Sequence, residues 1–268
     1  MGYEFGLSRR IYGVVAGVVE NNKHPEGHYM VRVKFPWIRS KDKGDKEDYI
    51  SSWARVIANM GGKGRGFYCL PEVGDEVIVT FIHGDIRQPI VLGAVWNKED
   101  KMPVGDSATS NKSTKDPLGN DIGIEKAAVD NNAADGKNNA RFFLSRAGHI
   151  LLFDDTDGKE SIAIVSKTGH ALVLNDEKEN IAIYDKSGEE YMVLNGKDKK
   201  ILIETKNGDI DILCKNGKFN VEAKEIFMKS SAKTTLQAGA DTTIKSDANI
   251  VIKASGKIDA DASKIELN

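Results

Sequence analysis

Residues 226–257 read IFMKSSAK TTLQAGAD TTIKSDAN IVIKASGK when divided at every eighth residue. An apolar residue holds the third place of each block: Met228, Leu236, Ile244 and Ile252. The first place holds Ile226, Thr234, Thr242 and Ile250, and the count runs on to Ile258. Ser or Ala holds the fifth place, at Ser230, Ala238, Ser246 and Ala254. Each block therefore reads as one short strand and one turn. Self-similarity of this kind marks a solenoid or an array.

One chain cannot easily fold such a repeat alone. Ordering eight residues costs more backbone entropy than one or two buried aliphatic side chains return. The block 234–241 has only Leu236 to bury. A lone coil also leaves its strand edges unpaired. Three chains winding about one axis remove both difficulties. Each strand gains neighbours from other chains, and the inward residues stack into a narrow column that small residues can border. The octads predict an intertwined triple-stranded β-helix, with Ile226, Met228, Leu236, Ile244, Ile250 and Ile252 filling its axis.

Upstream the beat is slower. GHILLFDD begins at Gly148, GHALVLND at Gly169, GEEYMVLN at Gly188 and GDIDILCK at Gly208. Between them run SIAIVSKTG, NIAIYDKSG and KILIETKNG. Each unit of about 20 residues reads strand, turn, strand, turn, with Asp-Gly, Thr-Gly, Ser-Gly and Asn-Gly as turn signals. The longer repeats run to about residue 210 and the octads occupy 226–258, so a shaft over 141–268 is expected to taper. Residues 98–140 are polar and rich in Asp, Asn, Lys and Gly, the composition of a linker.

Residues 1–97 form the third region. RIYGVVAGVVEN, HYMVRVKFPWI, YISSWARVI, GDEVIVTFI and PIVLGAVWN are strand candidates. In the second, Tyr29, Val31, Val33 and Phe35 alternate with Met30, Arg32 and Lys34, the period of a half-buried strand. About five strands joined by Gly-, Pro- and Asp-containing loops predict a small Greek-key barrel. Trp53, Val77, Val79, Phe81 and Val91 are its expected core. The whole chain is expected to be all-β.

Residues 53–97 run WARVIANMGGKGRGFYCLPEVGDEVIVTFIHGDIRQPIVLGAVWN. This stretch resembles the OB-fold domain of the VgrG and phage baseplate-spike proteins, including phage baseplate assembly protein V. The resemblance rests on Trp53, Arg55 and Val56, then the Leu-Pro-Glu-Val-Gly-Asp-Glu-Val run containing Pro71, Gly74 and Asp75, then Gly84, Asp85, Pro89, Gly93 and Asn97. It implies an OB-fold, a five-stranded Greek-key barrel, followed by a trimeric β-helix with octad repeats. It implies a structural spike of a contractile injection machine (a phage tail, a tailocin, or an extracellular or type VI-like system) that pierces a target envelope and meets the target membrane only transiently. Some ten residues precede the barrel, so the expected form is the split one, whose hub is a separate protein. A PAAR-type tip protein is the implied partner at the C-terminal end.

Composition and motifs bear on other functions. The net charge of −2 argues against a nucleic-acid binder. Lys34, Arg39, Lys41, Lys63 and Arg65 are offset by Asp42, Asp45, Glu47 and Asp48. The N-terminus lacks an apolar signal segment, so synthesis in the cytoplasm without a signal peptide is expected. Cys69 and Cys214 are too few for a metal site and fall in segments of different character. The glycines of MGGKGRG precede no helix and no GK[ST], so they read as a tight loop. His24 and His28 flank Pro25 and Gly27, which breaks any helical zinc motif. His149 and His170 read as turn-flanking residues, although their copies in a trimer could face one another. Glu99, Asp100, Asp106 and Asp116 lie in the polar interval without the rigid spacing that glycan hydrolysis needs. No enzyme activity, cofactor or metal is expected. The competing reading is a trimeric β-helix that binds or cleaves surface glycan.

Overall fold

The structure is a computed structural model that describes residues 10–40, 47–103 and 139–266. Most of the polar linker, with Asp106 and Asp116, lies outside the described residues, as do Lys41, Asp42 and Asp45. Among the described residues strands dominate, with one helical turn at Ile82–Gly84.

The N-terminal region is a closed barrel. Strands β1 (Val14–Asn21), β2 (Met30–Arg39), β3 (Asp48–Ile50), β4 (Ala54–Val56), β5 (Gly61–Gly62), β6 (Arg65–Gly66), β7 (Glu76–Phe81) and β8 (Pro89–Ala94) follow in order. The ring runs β1–β7–β8–β4–β2 and closes through β1–β2 pairing. Every pair in it is antiparallel except β4–β8, which is parallel. The segment YISSWARVI divides into two strands: β3 extends β2 at one edge, and β4 completes the ring.

Strand alternation fills the interior. Val19, Val31, Val33, Phe35, Ala54, Val77, Val79, Phe81 and Val91 form one buried cluster. Trp53 is half-buried and outside it, which corrects the expected core. Ala54 points inward, so Trp53 and Arg55 on either side of it point outward. Gly17 is a core position that has no side chain. A Cβ there would lie 2.4 Å from Val33 Cγ1 and 3.0 Å from Phe35 Cε1. Gly17→Ala is expected to destabilise the barrel by about 1–3 kcal/mol through overpacking, measurable as a lowered urea midpoint at unchanged m-value.

The motif residues make the barrel's turns. Gly74 adopts φ +102°. Asp75 Oδ2 accepts the Glu72 N–H at 2.8 Å, and the Asp75 carbonyl accepts the Val19 N–H at 2.9 Å. The loop is thereby tied to β1. At the next turn Gly84 is buried with φ +74°, and Asp85 grips Arg87 through both carboxylate oxygens. That side-chain pairing, together with the Arg87 N–H, lowers the Asp85 pKa to about 2. Pro89 is buried at the start of β8 and Gly93 is half-buried within it. Pro71 is half-buried, and its carbonyl accepts from Asn22 Nδ2 at 3.1 Å.

The 20-residue beat is a single-chain meander. Strands β9 (Ala140–Leu144), β10 (Ile150–Asp154), β11 (Ser161–Val165), β12 (Ala171–Asn175), β13 (Asn180–Tyr184), β14 (Glu190–Asn195) and β15 (Lys200–Thr205) pair with their neighbours in sequence order. All six pairings are antiparallel and free of bulges. Ala140, Ile150, Leu152, Ala163, Val165, Ala171, Val173, Ala182, Tyr184 and Val193 bury one face.

Residues Asp211–Asn268 make a second unit. Its described residues form turns and extended segments, with no strand ladder among them, and all are exposed. The serines at the fifth octad place cap turns. Ser230 Oγ accepts the Ala232 N–H at 3.4 Å, and Ser246 Oγ accepts the Ala248 N–H at 3.2 Å.

Candidate functional site

Large apolar side chains also line the uncovered face of the meander. Register places Phe143, Leu151, Ile164, Leu172, Ile183, Met192 and Ile203 opposite one another in one row across all seven strands. A second row on the same face begins at Arg141 and continues through Phe153, Ile162, Leu174, Ile181, Leu194 and Ile201. The first row includes Phe143 at 52%, Ile164 at 52% and Ile183 at 50% exposure. Seven strands span about 29 Å, so two rows cover roughly 400 Å². That matches the largest apolar patch of an ordinary monomer, and such patches are often functional.

A polar row borders the apolar ones. Ser145, His149, Ser166, His170, Asp185, Glu190 and Thr205 follow at the turn edge, in the same alternation as the exposed face. A groove of ≈ 990 Å³ runs between this rim and the first apolar row. The rim is built by a recurring turn. Ser145 Oγ accepts the His149 N–H and Ser166 Oγ accepts the His170 N–H, each at 3.0 Å. Asp185 accepts the N–H groups of Ser187 and Gly188 at 3.0 and 2.9 Å. The Ser187 N–H leads the contacts that hold the Asp185 carboxyl well below the usual carboxylate range. Thr205 Oγ1 accepts the Gly208 N–H at 2.8 Å. Gly148, Gly169 and Gly188 take positive φ in these turns. The sequence signal is a short polar residue three places before each turn glycine.

The rim offers little to a metal. Among the described residues no group of three His, Cys, Asp or Glu side chains could hold an ion. His149 Nδ1 accepts the Lys167 N–H at 3.2 Å, which ties the ring to the next repeat. Tyr191 donates to Glu204 at 2.5 Å on the opposite face, and this bond raises the tyrosine pKa. Arg146 reaches Glu72 of the barrel at 2.6 Å, a contact that no motif announced.

The six octad positions are all open in the single chain. Met228 is 84% exposed and Ile244 71%; Ile226, Leu236, Ile250 and Ile252 are likewise exposed. Among the described residues no helix is long and apolar enough to cross a membrane.

A closed five-strand barrel with one parallel pair, carrying these turn motifs and followed by a repeating all-β region, defines an OB-like domain joined to an assembly element. Residues 15–96 match the family described as the Type VI secretion system/phage-baseplate injector OB domain. The barrel region is 39% identical over 90 residues to the type VI secretion system spike protein VgrG5 of Pseudomonas aeruginosa, covering 34% of this chain and 11% of that protein. It is 38% identical over 90 residues to the spike protein VgrG4b of the same organism, with the same coverage. It is 36% identical over 76 residues to the actin cross-linking toxin VgrG1 of Vibrio cholerae, covering 28% of this chain and 7% of that protein. The chain thus spans about a tenth of the length of these relatives. Its barrel is an injector OB domain of the VgrG and baseplate-spike family.

Proposed function

We propose that this protein is the central spike of a contractile injection machine and acts as a homotrimer. The observation that carries the reading is the uncovered apolar face of the meander. One chain buries Ile150, Leu152, Ala163, Val173 and Ala182 on one side and leaves Ile164, Ile181 and Ile183 exposed on the other. The chain covers one apolar face of this sheet and leaves a second one open, and a second open face is what partner chains would cover. In the trimer each meander supplies one wall, and three such faces close on one another. The octads extend the shaft as an intertwined β-helix, with Ile226, Met228, Leu236, Ile244, Ile250 and Ile252 along its axis.

The action is mechanical and needs no catalytic residue. Interchain hydrogen bonds and stacked aliphatics leave few soft torsions, so contraction can drive the shaft through an envelope. The barrels meet a separate hub protein, and a PAAR-type protein closes the far end. The chain is made in the cytoplasm, assembles into the baseplate and leaves with the needle on firing. Mass photometry of the purified protein is expected to give a trimer that persists in SDS or on heating. A monomer at micromolar concentration overturns the proposal.

A further inference from the structure

The β1–β2 loop carries an arrangement unrelated to assembly. His24 and His28 stack with ring centroids 4.6 Å apart and 22° between planes. His24 also meets the Trp53 ring, with centroids 4.7 Å apart. The Arg32 guanidinium lies 5.5 Å from the Trp53 centroid. A turn locks the loop: Gly27 N–H donates to the His24 carbonyl at 3.0 Å, with Pro25 at its second position and Gly27 at φ +70°. His24 Nδ1 accepts the Glu26 N–H at 3.1 Å. An imidazole can accept there only while Nδ1 is unprotonated. Glu26 Oε2 lies 3.5 Å from His28 Nε2.

We propose that the β1–β2 loop is an acid-released clasp over Trp53. Protonation of His24 places a proton on the nitrogen that holds the Glu26 N–H, and that bond is lost. It also sets a cation beside the His28 ring and beside the Trp53 ring, near which the Arg32 guanidinium already lies. The remaining charges around the loop do not compensate. Lys23 and Glu26 belong to the loop, Arg55 stands beside Trp53 on β4, and Glu20 pairs with Lys34 at 3.6 Å. Glu72, on the segment tied to Asn22, is engaged by Arg146. Attraction of a histidinium to the Trp53 face opposes release. The Trp53 ring already has the Arg32 guanidinium 5.5 Å from its centroid, and the main-chain bond is still lost.

The test is amide hydrogen exchange of the full chain, corrected for intrinsic rates, from about pH 7.5 to about pH 5. Exchange over residues 22–29 is expected to rise about fivefold on acidification, the size of one lost neutral hydrogen bond. The barrel strands should keep their protection. His24→Gln removes the titratable ring and should abolish the response, whereas His28→Gln should weaken it. Unchanged protection in the wild type, or an equal response in His24→Gln, overturns the proposal. If His24→Gln fails to fold, the wild-type profile and His28→Gln still decide.

Discussion

Ile183→Asp is expected to convert the trimer into a monomer whose barrel remains folded. Ile183 sits on β13, near the middle of the meander, and its row neighbours are Leu172 and Met192. In a single chain it is half exposed, so a carboxylate there would be solvated and would cost the monomer little. Around a threefold axis three carboxylates would be buried against aliphatics without partners. Each loses several kcal/mol of hydration, and the three repel. No rearrangement of Ile164 or Ile203 supplies a compensating charge. The outcome is read by mass photometry, with near-ultraviolet circular dichroism reporting the barrel. Ala182→Asp is the useful contrast. Ala182 is fully buried within the chain, so that variant should disrupt the meander itself. A trimer that survives Ile183→Asp would show that this face is not the contact.

Much of the barrel is legible because its signals are local. The alternation Val31, Val33, Phe35 identifies the inward face of β2, and Gly74, Asp75, Gly84 and Asp85 turn out to build loops that hold strands together. Trp53 misleads because size alone draws it to the core, whereas its neighbour Ala54 settles the alternation. Gly17 is invisible as a core residue because nothing in its type shows that Val33 and Phe35 occupy its place. The meander presents another difficulty. SIAIV and NIAIY carry apolar residues at every position after the first, so both faces are apolar and alternation cannot say which is covered. Only pairing register shows that the large residues form continuous rows while Ala163, Val173 and Ala182 line the other side. The stacked His24, Trp53 and Arg32 come from separate segments and acquire meaning only in space.

Ile244→Ser separates the two accounts of the octads most sharply. In one chain Ile244 is 71% exposed, and its exchange for a polar residue of the turn type should change stability by less than about 0.5 kcal/mol. In an intertwined trimer the same side chain is buried three times at one level of the axis. Losing each aliphatic then costs about 2–3 kcal/mol, roughly 6–9 kcal/mol per trimer. The serine hydroxyls would add to this if they found no partner. The wild type is expected to run as a trimer in SDS without boiling, and Ile244→Ser to dissociate at a markedly lower temperature. Thr242→Ser, at the neighbouring first place, is the matched control because it removes only one methyl group. Equal dissociation temperatures for wild type and Ile244→Ser would mean that the octads do not bury this residue. The meander face would then be the only contact left to hold three chains together, and Ile183→Asp would be the decisive variant.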